Sequence, residues 1–102
     1  NEFFFTYKVT IENLSEDKVQ LLSRHWFIFD TTKGHSEVQG DGVVGFQPTL
    51  LPNDIHQYDS ACILSSEIGK MHGTYTFLRL FDKKTFEVQI PEFKLEAPQI
   101  LN

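Results

Sequence analysis

Hydrophobic and polar residues alternate along residues 3–13, with apolar side chains at every second position. The apolar set is Phe3, Phe5, Tyr7, Val9 and Ile11. Because successive side chains of a strand point to opposite faces, this pattern predicts a strand with one face buried. Turn-forming residues follow at 13–17, and β-branched and aromatic residues return over 19–29, so we predict that the two segments pair as a hairpin. The apolar phase shifts at Leu21 and Leu22, which predicts either a bulge or a strand covered on both faces.

The rest of the chain divides into further short strands separated by turn signals. Strands are predicted at 36–39, at 55–64, around Tyr75, Phe77 and Phe81, around Phe86, Val88 and Ile90, and, before Pro98, at Phe93 and Leu95. Turns, loops or irregular segments are predicted at 30–34, 40–51, 52–54, 65–70 and 82–84. Pro91 either ends its strand or places it at a sheet edge, since proline donates no ladder hydrogen bond.

No window has the spacing of an amphipathic helix, and turn signals recur about every 8 to 12 residues, as in sandwiches and barrels. The chain is therefore predicted to be all-β, with residues 1–102 forming one domain. Trp26 on an early strand and Tyr75 and Phe77 on a late one match the immunoglobulin layout, in which a central tryptophan is buried between two sheets. We predict an antiparallel β-sandwich with these three side chains in its core.

Charge and composition narrow the classes of function. Nine basic and fourteen acidic residues give a net charge of −5, which disfavours nucleic acid and anionic membranes as partners. No apolar run approaches the roughly 18 residues of a membrane span. The single Cys62 cannot form an internal disulfide, so a reducing compartment, by default the cytoplasm, is expected.

One motif suggests nucleotide chemistry. Gly40, Gly42 and Gly45 satisfy the pattern G-x-G-x-x-G, which in dinucleotide-binding folds precedes a helix that holds the pyrophosphate. Pro48 and Pro52 follow too closely for that helix to form. We therefore expect no nucleotide cofactor, and interpret Gly40 and Gly42 as residues with backbone angles closed to other amino acids, in a bend that links the sheets.

A weaker functional hypothesis keeps the motif as an anion site. Successive N–H groups of a glycine-rich turn can form a nest for an anion, with Arg24 or Lys33 nearby. Arg24 is predicted on the same face as Trp26. Its guanidinium then either reaches the solvent at the rim or forms a fixed fork that binds a carboxylate or phosphate.

Metal binding and catalysis have little support in the sequence. The four histidines are His25, His35, His56 and His72. No two of them have the close spacing in sequence that would place two metal ligands side by side on one strand or helix. Cys62 with a histidine, or Ser23 beside His25, are conceivable nucleophile pairs, but no orienting carboxylate accompanies them. We expect neither a metal site nor an enzyme.

Several of these segments together resemble the ApaG domain family, over nearly the whole chain. They are 21–26 (Leu-Leu-Ser-Arg-His-Trp), Val38 with 40–45 and Gln47-Pro48, and finally Ile90, Pro91, Phe93, Leu95 and Pro98. The resemblance implies a small sandwich of the immunoglobulin or fibronectin type III class. Two departures stand out: the family's first strand is absent here, and Asn53 occupies a position where glycine is common.

The resemblance also carries expectations about function. Bacterial members stand alone and are linked, through the related name CorD, to cobalt resistance and magnesium efflux, with no established catalytic activity. Eukaryotic relatives occur at the C-terminal end of certain F-box proteins and of a polymerase-delta-interacting protein. For these domains a protein-binding role is expected. We therefore predict a non-enzymatic protein-interaction module whose surface includes Arg24, His25, Gly40, Gly42 and Gly45. The alternative is a binder of a phosphate-type anion or a divalent cation.

Overall fold

The computed structural model describes residues 2–96, which form β-strands joined by turns. The strands are β1 (Phe3–Glu12), β2 (Val19–Asp30), β3 (Gly34–Asp41), β4 (Thr49–Leu50), β5 (Ile55–Leu64), β6 (Ile68–Arg79) and β7 (Lys84–Glu96). These residues contain no helix, and hence none that could cross a bilayer. The all-β prediction is confirmed. The predicted closing residue Pro98 lies outside the described residues.

The strands build two antiparallel sheets that face each other. β1 pairs with β5 from Phe3 opposite Leu64 to Glu12 opposite Ile55. The larger sheet has the order β3-β2-β6-β7, and the short β4 also pairs with β2. Ring contacts join the layers: Tyr7 of β1 meets Trp26 of β2 edge to face, with centroids 5.9 Å apart. The architecture is the predicted immunoglobulin-like sandwich.

The predicted hairpin between residues 3–13 and 19–29 is wrong. β1 pairs with β5, whereas β2 pairs with β3, β4 and β6. The chain crosses between the sheets after Asn13, whose side-chain amide donates to the carbonyl oxygens of Asp17 at 2.8 Å and Leu50 at 3.1 Å. The apolar face of β1 thereby packs over β2 instead of lying beside it, which buries both faces in one core.

The core lies where the two sheets meet. Trp26, Tyr75 and Phe77 are only 3, 3 and 4% exposed. Trp26 also contacts Phe93 of β7, with ring centroids 5.9 Å apart. Aromatic rings in edge-to-face contact add stabilisation beyond the area they bury, so this cluster holds the two layers together.

Two irregularities predicted from the sequence have a clear structural form. The β2–β6 register shifts between Leu21 and Ser23, so the phase change at Leu22 is a bulge. Pro91 does not end its strand. It lies within β7, an edge strand of the larger sheet, at the point where the register between β6 and β7 shifts. Because the pairing is interrupted at this point, the missing N–H of proline costs no hydrogen bond between the strands.

Other boundaries differ from the sequence prediction at turns. Phe81 is not on the face of β6: that strand ends at Arg79, and Phe81 is 74% exposed. The Arg79 guanidinium donates to both carboxylate oxygens of Asp82, closing the turn, and lies over the Phe81 ring at 5.2 Å. The predicted loop at 65–70 is shorter, because β6 begins at Ile68.

Candidate functional site

The glycine motif folds into a tight hairpin turn. The N–H of Val43 donates to the Phe46 carbonyl at 2.7 Å, and the N–H of Phe46 donates back at 3.0 Å. Between them, Val44 has φ of 47° and Gly45 has φ of 83°. Two successive residues with positive φ define a type I′ turn, which joins antiparallel segments. We call residues 43–46 the apex turn.

Positive φ is ordinary for glycine and rare for valine. A β-branched residue in the left-handed region costs roughly 1–2 kcal/mol. Val43, the first residue of the apex turn, is fully buried, whereas Val44 and Phe46 are 55% and 65% exposed. The apex turn is thus a strained, anchored projection with two apolar side chains facing solvent.

The glycines of the motif serve different purposes. Gly42 has φ of 63°, and a Cβ there would lie 2.3 Å from the Phe46 carbonyl oxygen, so only glycine fits. The same interpretation of Gly40 is wrong, because its φ is not positive. A Cβ on Gly40 would instead lie 2.9–3.0 Å from the guanidinium atoms of Arg24. Gly40 therefore makes room for a side chain.

Arg24 lies on the inner face of the sheet, opposite Gly40 and two positions before Trp26. Its Nη1 donates to the carbonyl oxygens of Asp41 and Gly42, each at 2.9 Å. Lys33, proposed as a second cation near the glycines, lies in the turn before β3, at the opposite end of that strand.

Two backbone amides of the motif that the hypothesised anion nest would use already bond within the fold, and the nest stays a prediction. The N–H of Gly42 donates to the Leu22 carbonyl at 2.8 Å, and that of Val43 is taken by the apex turn. The side chain of Gln47 adds a further bond to the Leu22 carbonyl at 2.9 Å. These bonds hold the apex turn rigidly against β2.

His25 lies on the opposite face of β2 from Arg24, since neighbouring residues of a strand alternate. Its Nε2 is 2.7 Å from a Glu37 carboxylate oxygen, and its Nδ1 is 3.0 Å from the Gln39 amide nitrogen. The ring stacks on Phe27, which stacks in turn on His72. Within residues 2–96, no three His, Cys, Asp or Glu side chains cluster as metal ligands would.

Two tyrosine side chains meet through their hydroxyl groups between the sheets. Tyr58 of β5 and Tyr75 of β6 share a hydrogen bond between their hydroxyl groups. Burial raises the pKa of both tyrosines, so each stays protonated at neutral pH. Burial also raises the pKa of the Cys62 thiol, which disfavours the thiolate that a cysteine nucleophile requires.

Two cavities open between the sheets. One, of about 290 Å³, is lined by Arg24, Trp26, Tyr58 and Ser60, with Val44 of the apex turn at its wall. We call it the Arg24 pocket. The other, of about 360 Å³, lies between β1 and β7, and Glu12 is the only charged residue among the described residues that line it.

Known proteins are similar to this chain in both sequence and fold. The family model of the ApaG domain matches residues 1–79. A protein named Protein ApaG from Shewanella denitrificans is 44% identical over 100 residues, which cover 98% of this chain and 79% of that protein. The chain belongs to the ApaG domain family. Another Protein ApaG, from Bdellovibrio bacteriovorus, is 46% identical over 99 residues, covering 97% of this chain and 77% of that protein.

Solved ApaG-like structures match the sandwich closely. A putative ApaA protein from Bordetella pertussis superposes with a TM-score of 0.90 at 41% identity, covering 97% of this chain and 80% of that one. The family resemblance seen in the sequence is thereby confirmed. The names of these ApaG relatives state no enzymatic activity.

Sequence reasoning missed several features of this ApaG-domain site. Nothing in the letters Val44-Gly45 resembles the Asn-Gly pair typical of type I′ turns, so the strained valine had no signal beyond the following glycine. Tyr58 and Ser60 did carry one: they alternate with polar residues on β5, which places them on the inner face.

Proposed function

We propose that this ApaG-domain chain is a non-enzymatic protein-interaction module that contacts its partner through the apex turn. The observation that carries the proposal is the exposed Val44 held at positive φ. Asparagine or glycine would adopt this turn at lower cost. Strain that persists in a folded protein concentrates at functional positions, so the outward-facing valine is explained by a contact that folding itself does not supply.

The chemistry of the apex turn fits a protein partner. Val44 and Phe46 are both exposed on a hairpin held by its own cross-strand bonds and by Gln47. A rigid turn loses little conformational entropy on binding, and an aromatic side chain buries a large area in a pocket. We therefore expect the partner to offer an apolar pocket that receives Phe46, with Val44 at its edge.

The described side chains give an enzyme little support. Cys62 makes no hydrogen bond to a histidine within residues 2–96, and its raised pKa keeps the thiol protonated. His25 bonds to Glu37 and Gln39 on the outer face, away from the cavities between the sheets. The divalent-cation alternative finds no cluster of ligands in the same range and stays a prediction.

Site-specific photo-cross-linking tests the proposal. A photoreactive phenylalanine analogue is placed at Phe46 and, as a matched control, at Phe81, an exposed aromatic in the β6–β7 turn. We expect a discrete cross-linked protein from position 46 and none from position 81, with the product competed by unlabelled wild type and by Phe81→Ser but not by Phe46→Ser. Equal amounts of product from both positions would show nonspecific contact with exposed aromatic residues and would contradict the proposal. The absence of a product at position 46 would also contradict it.

A further inference from the structure

Arg24 carries a positive charge that no carboxylate within the described residues 2–96 pairs with. The ion pairs of lysine and arginine within residues 2–96 join Lys70 to Glu92 and Arg79 to Asp82. The two arginines therefore differ: Arg79 donates to both carboxylate oxygens of Asp82, while Arg24, within the described range, bonds only to two neutral carbonyl groups through Nη1. Its Nε and Nη2 donors have no acceptor in the described part of the chain.

Arg24 is one of the residues that line the Arg24 pocket between the sheets. The Arg24 pocket of about 290 Å³ combines apolar walls, including Trp26, with the hydroxyl groups of Tyr58 and Ser60. Because the hydroxyl groups of Tyr58 and Tyr75 bond only to each other among the described residues, one of the two O–H groups remains available as a donor. Both stay neutral, so neither repels an anion.

The guanidinium is also held in place before any ligand arrives. The carbonyls of Asp41 and Gly42 fix Nη1, and Gly40 leaves the space in which the planar group lies. A fixed arginine loses little side-chain entropy on binding. The arrangement is the fork that recognises a planar, two-oxygen anion.

We propose that the Arg24 pocket binds a monocarboxylate carried on an apolar body. The two oxygens accept from Nε and Nη2 of Arg24, a hydroxyl group adds a third bond, and the apolar part lies against Trp26. One uncompensated cation balances one negative charge. A phosphate dianion would leave excess charge partly buried in a chain whose net charge is already −5. This pocket does not depend on the partner proposed for the apex turn.

Titration with a small acid tests the proposal, followed by nuclear magnetic resonance at the Arg24 Nε–H. The probe is 3-phenylpropanoate, compared with 3-phenylpropanamide and inorganic phosphate. We expect the acid to shift the Nε–H signal and to bind about tenfold or more tightly than the amide, because a charge-assisted pair is lost with the amide. Equal binding of acid and amide, or tighter binding of phosphate, would overturn the proposal.

Three variants distinguish specific binding in the Arg24 pocket from nonspecific attraction of the acid to positive charge. Arg24→Gln should reduce affinity for the acid about tenfold or more, and Gly40→Ala should reduce it by displacing the guanidinium while keeping its charge. Lys33→Gln removes a positive charge at the far end of β3 and should leave affinity unchanged. If Lys33→Gln weakens binding as much as Arg24→Gln, the site is not specific. Should Arg24→Gln fail to fold, Gly40→Ala and the acid–amide comparison still decide.

A peptide arm distinguishes the sources of the carboxylate. A short peptide that ends in phenylalanine is titrated with a free and with an amidated C-terminus. Preference for the free form assigns the pocket to a chain terminus, whereas binding of 3-phenylpropanoate alone assigns it to a free organic acid. If neither the peptide nor 3-phenylpropanoate binds, the inference is wrong. That outcome leaves the cross-linking result at Phe46 unaffected.

Discussion

Replacing Val44 by asparagine should separate the strain of the apex turn from the ordinary cost of losing a valine. Val38 of β3 provides the matched control, since it lines the same pocket, is 43% exposed against 55% for Val44, and has no positive φ. Full burial of a valine stabilises by roughly 1.5–3 kcal/mol, so half of that, about 1 kcal/mol, is lost at either position. At Val44 alone, asparagine also relieves roughly 1–2 kcal/mol of left-handed strain.

The two variants should therefore differ in stability by about 1–2 kcal/mol. Val38→Asn is expected to lower the free energy of unfolding by about 1 kcal/mol, and Val44→Asn to leave it unchanged or raise it by up to about 1 kcal/mol. Guanidinium unfolding followed by tryptophan fluorescence measures both, and in a thermal scan each kcal/mol corresponds to roughly 4–8 °C in Tm.

In Val44→Asn, binding to the partner should weaken although the stability of the fold does not. Val44→Asn removes the exposed methyl groups, so cross-linking from position 46 is expected to fall even though the fold is as stable as wild type or more so. If Val44→Asn and Val38→Asn lose the same stability, the valine is not strained and the argument for the apex turn as a contact surface fails. If stability rises but cross-linking from position 46 is unchanged, the strain is real and the partner contacts the apex turn without using Val44.

Three further predictions concern the fold and its pH dependence. Trp26→Ala should cost roughly 3–5 kcal/mol in chemical denaturation, through lost contacts and a cavity between the sheets; a loss below about 1 kcal/mol would contradict its place in the core. Gly42→Ala should lower the unfolding midpoint far more than Gly40→Ala, because the first meets backbone and the second only the movable end of Arg24. Bonds from the Ser65 N–H, the Ser66 hydroxyl and nearby amides lower the pKa of Asp30 from 3.8 to about 2. The carboxylate therefore stabilises the fold above about pH 4, and this contribution is lost as the pH falls towards 2. Asp30→Asn should destabilise at pH 7 and flatten the urea midpoint between pH 4 and 2; an unchanged acid profile would refute the assignment.

Much of the secondary structure follows from local pattern alone. The strand predicted at 55–64 coincides with β5, because alternation of facing residues is a property of consecutive positions. Likewise, two prolines after the glycine motif exclude a helix wherever the segment lies, since proline has no N–H and clashes with the preceding turn. The bulge at Leu22 was visible for the same reason: an extra residue shifts the alternation itself.

Pairing and side-chain partners depended on distant parts of the chain. The alternation in β1 specifies which face is buried, but not which strand lies beside it, and the crossing at Asn13 is held by the carbonyl of Leu50. The space at Gly40 has meaning only once Arg24 lies across from it, 16 residues earlier in the chain. Arg24 and His25 are adjacent in the sequence, yet only the folded sheet shows that their side chains take different partners, carbonyl groups for Arg24 and Glu37 with Gln39 for His25.

By itself, then, the sequence determined an all-β chain of the ApaG domain family, with a buried tryptophan and a glycine motif that no helix follows. Only the tertiary structure decided that Val44 is strained and exposed and that Arg24 has no carboxylate partner among residues 2–96. The reason is physical: alternation and turn propensity act between neighbours in sequence, whereas a backbone angle forced by cross-strand bonds, or a charge left without a counter-ion, depends on which residues the folded sheets bring together.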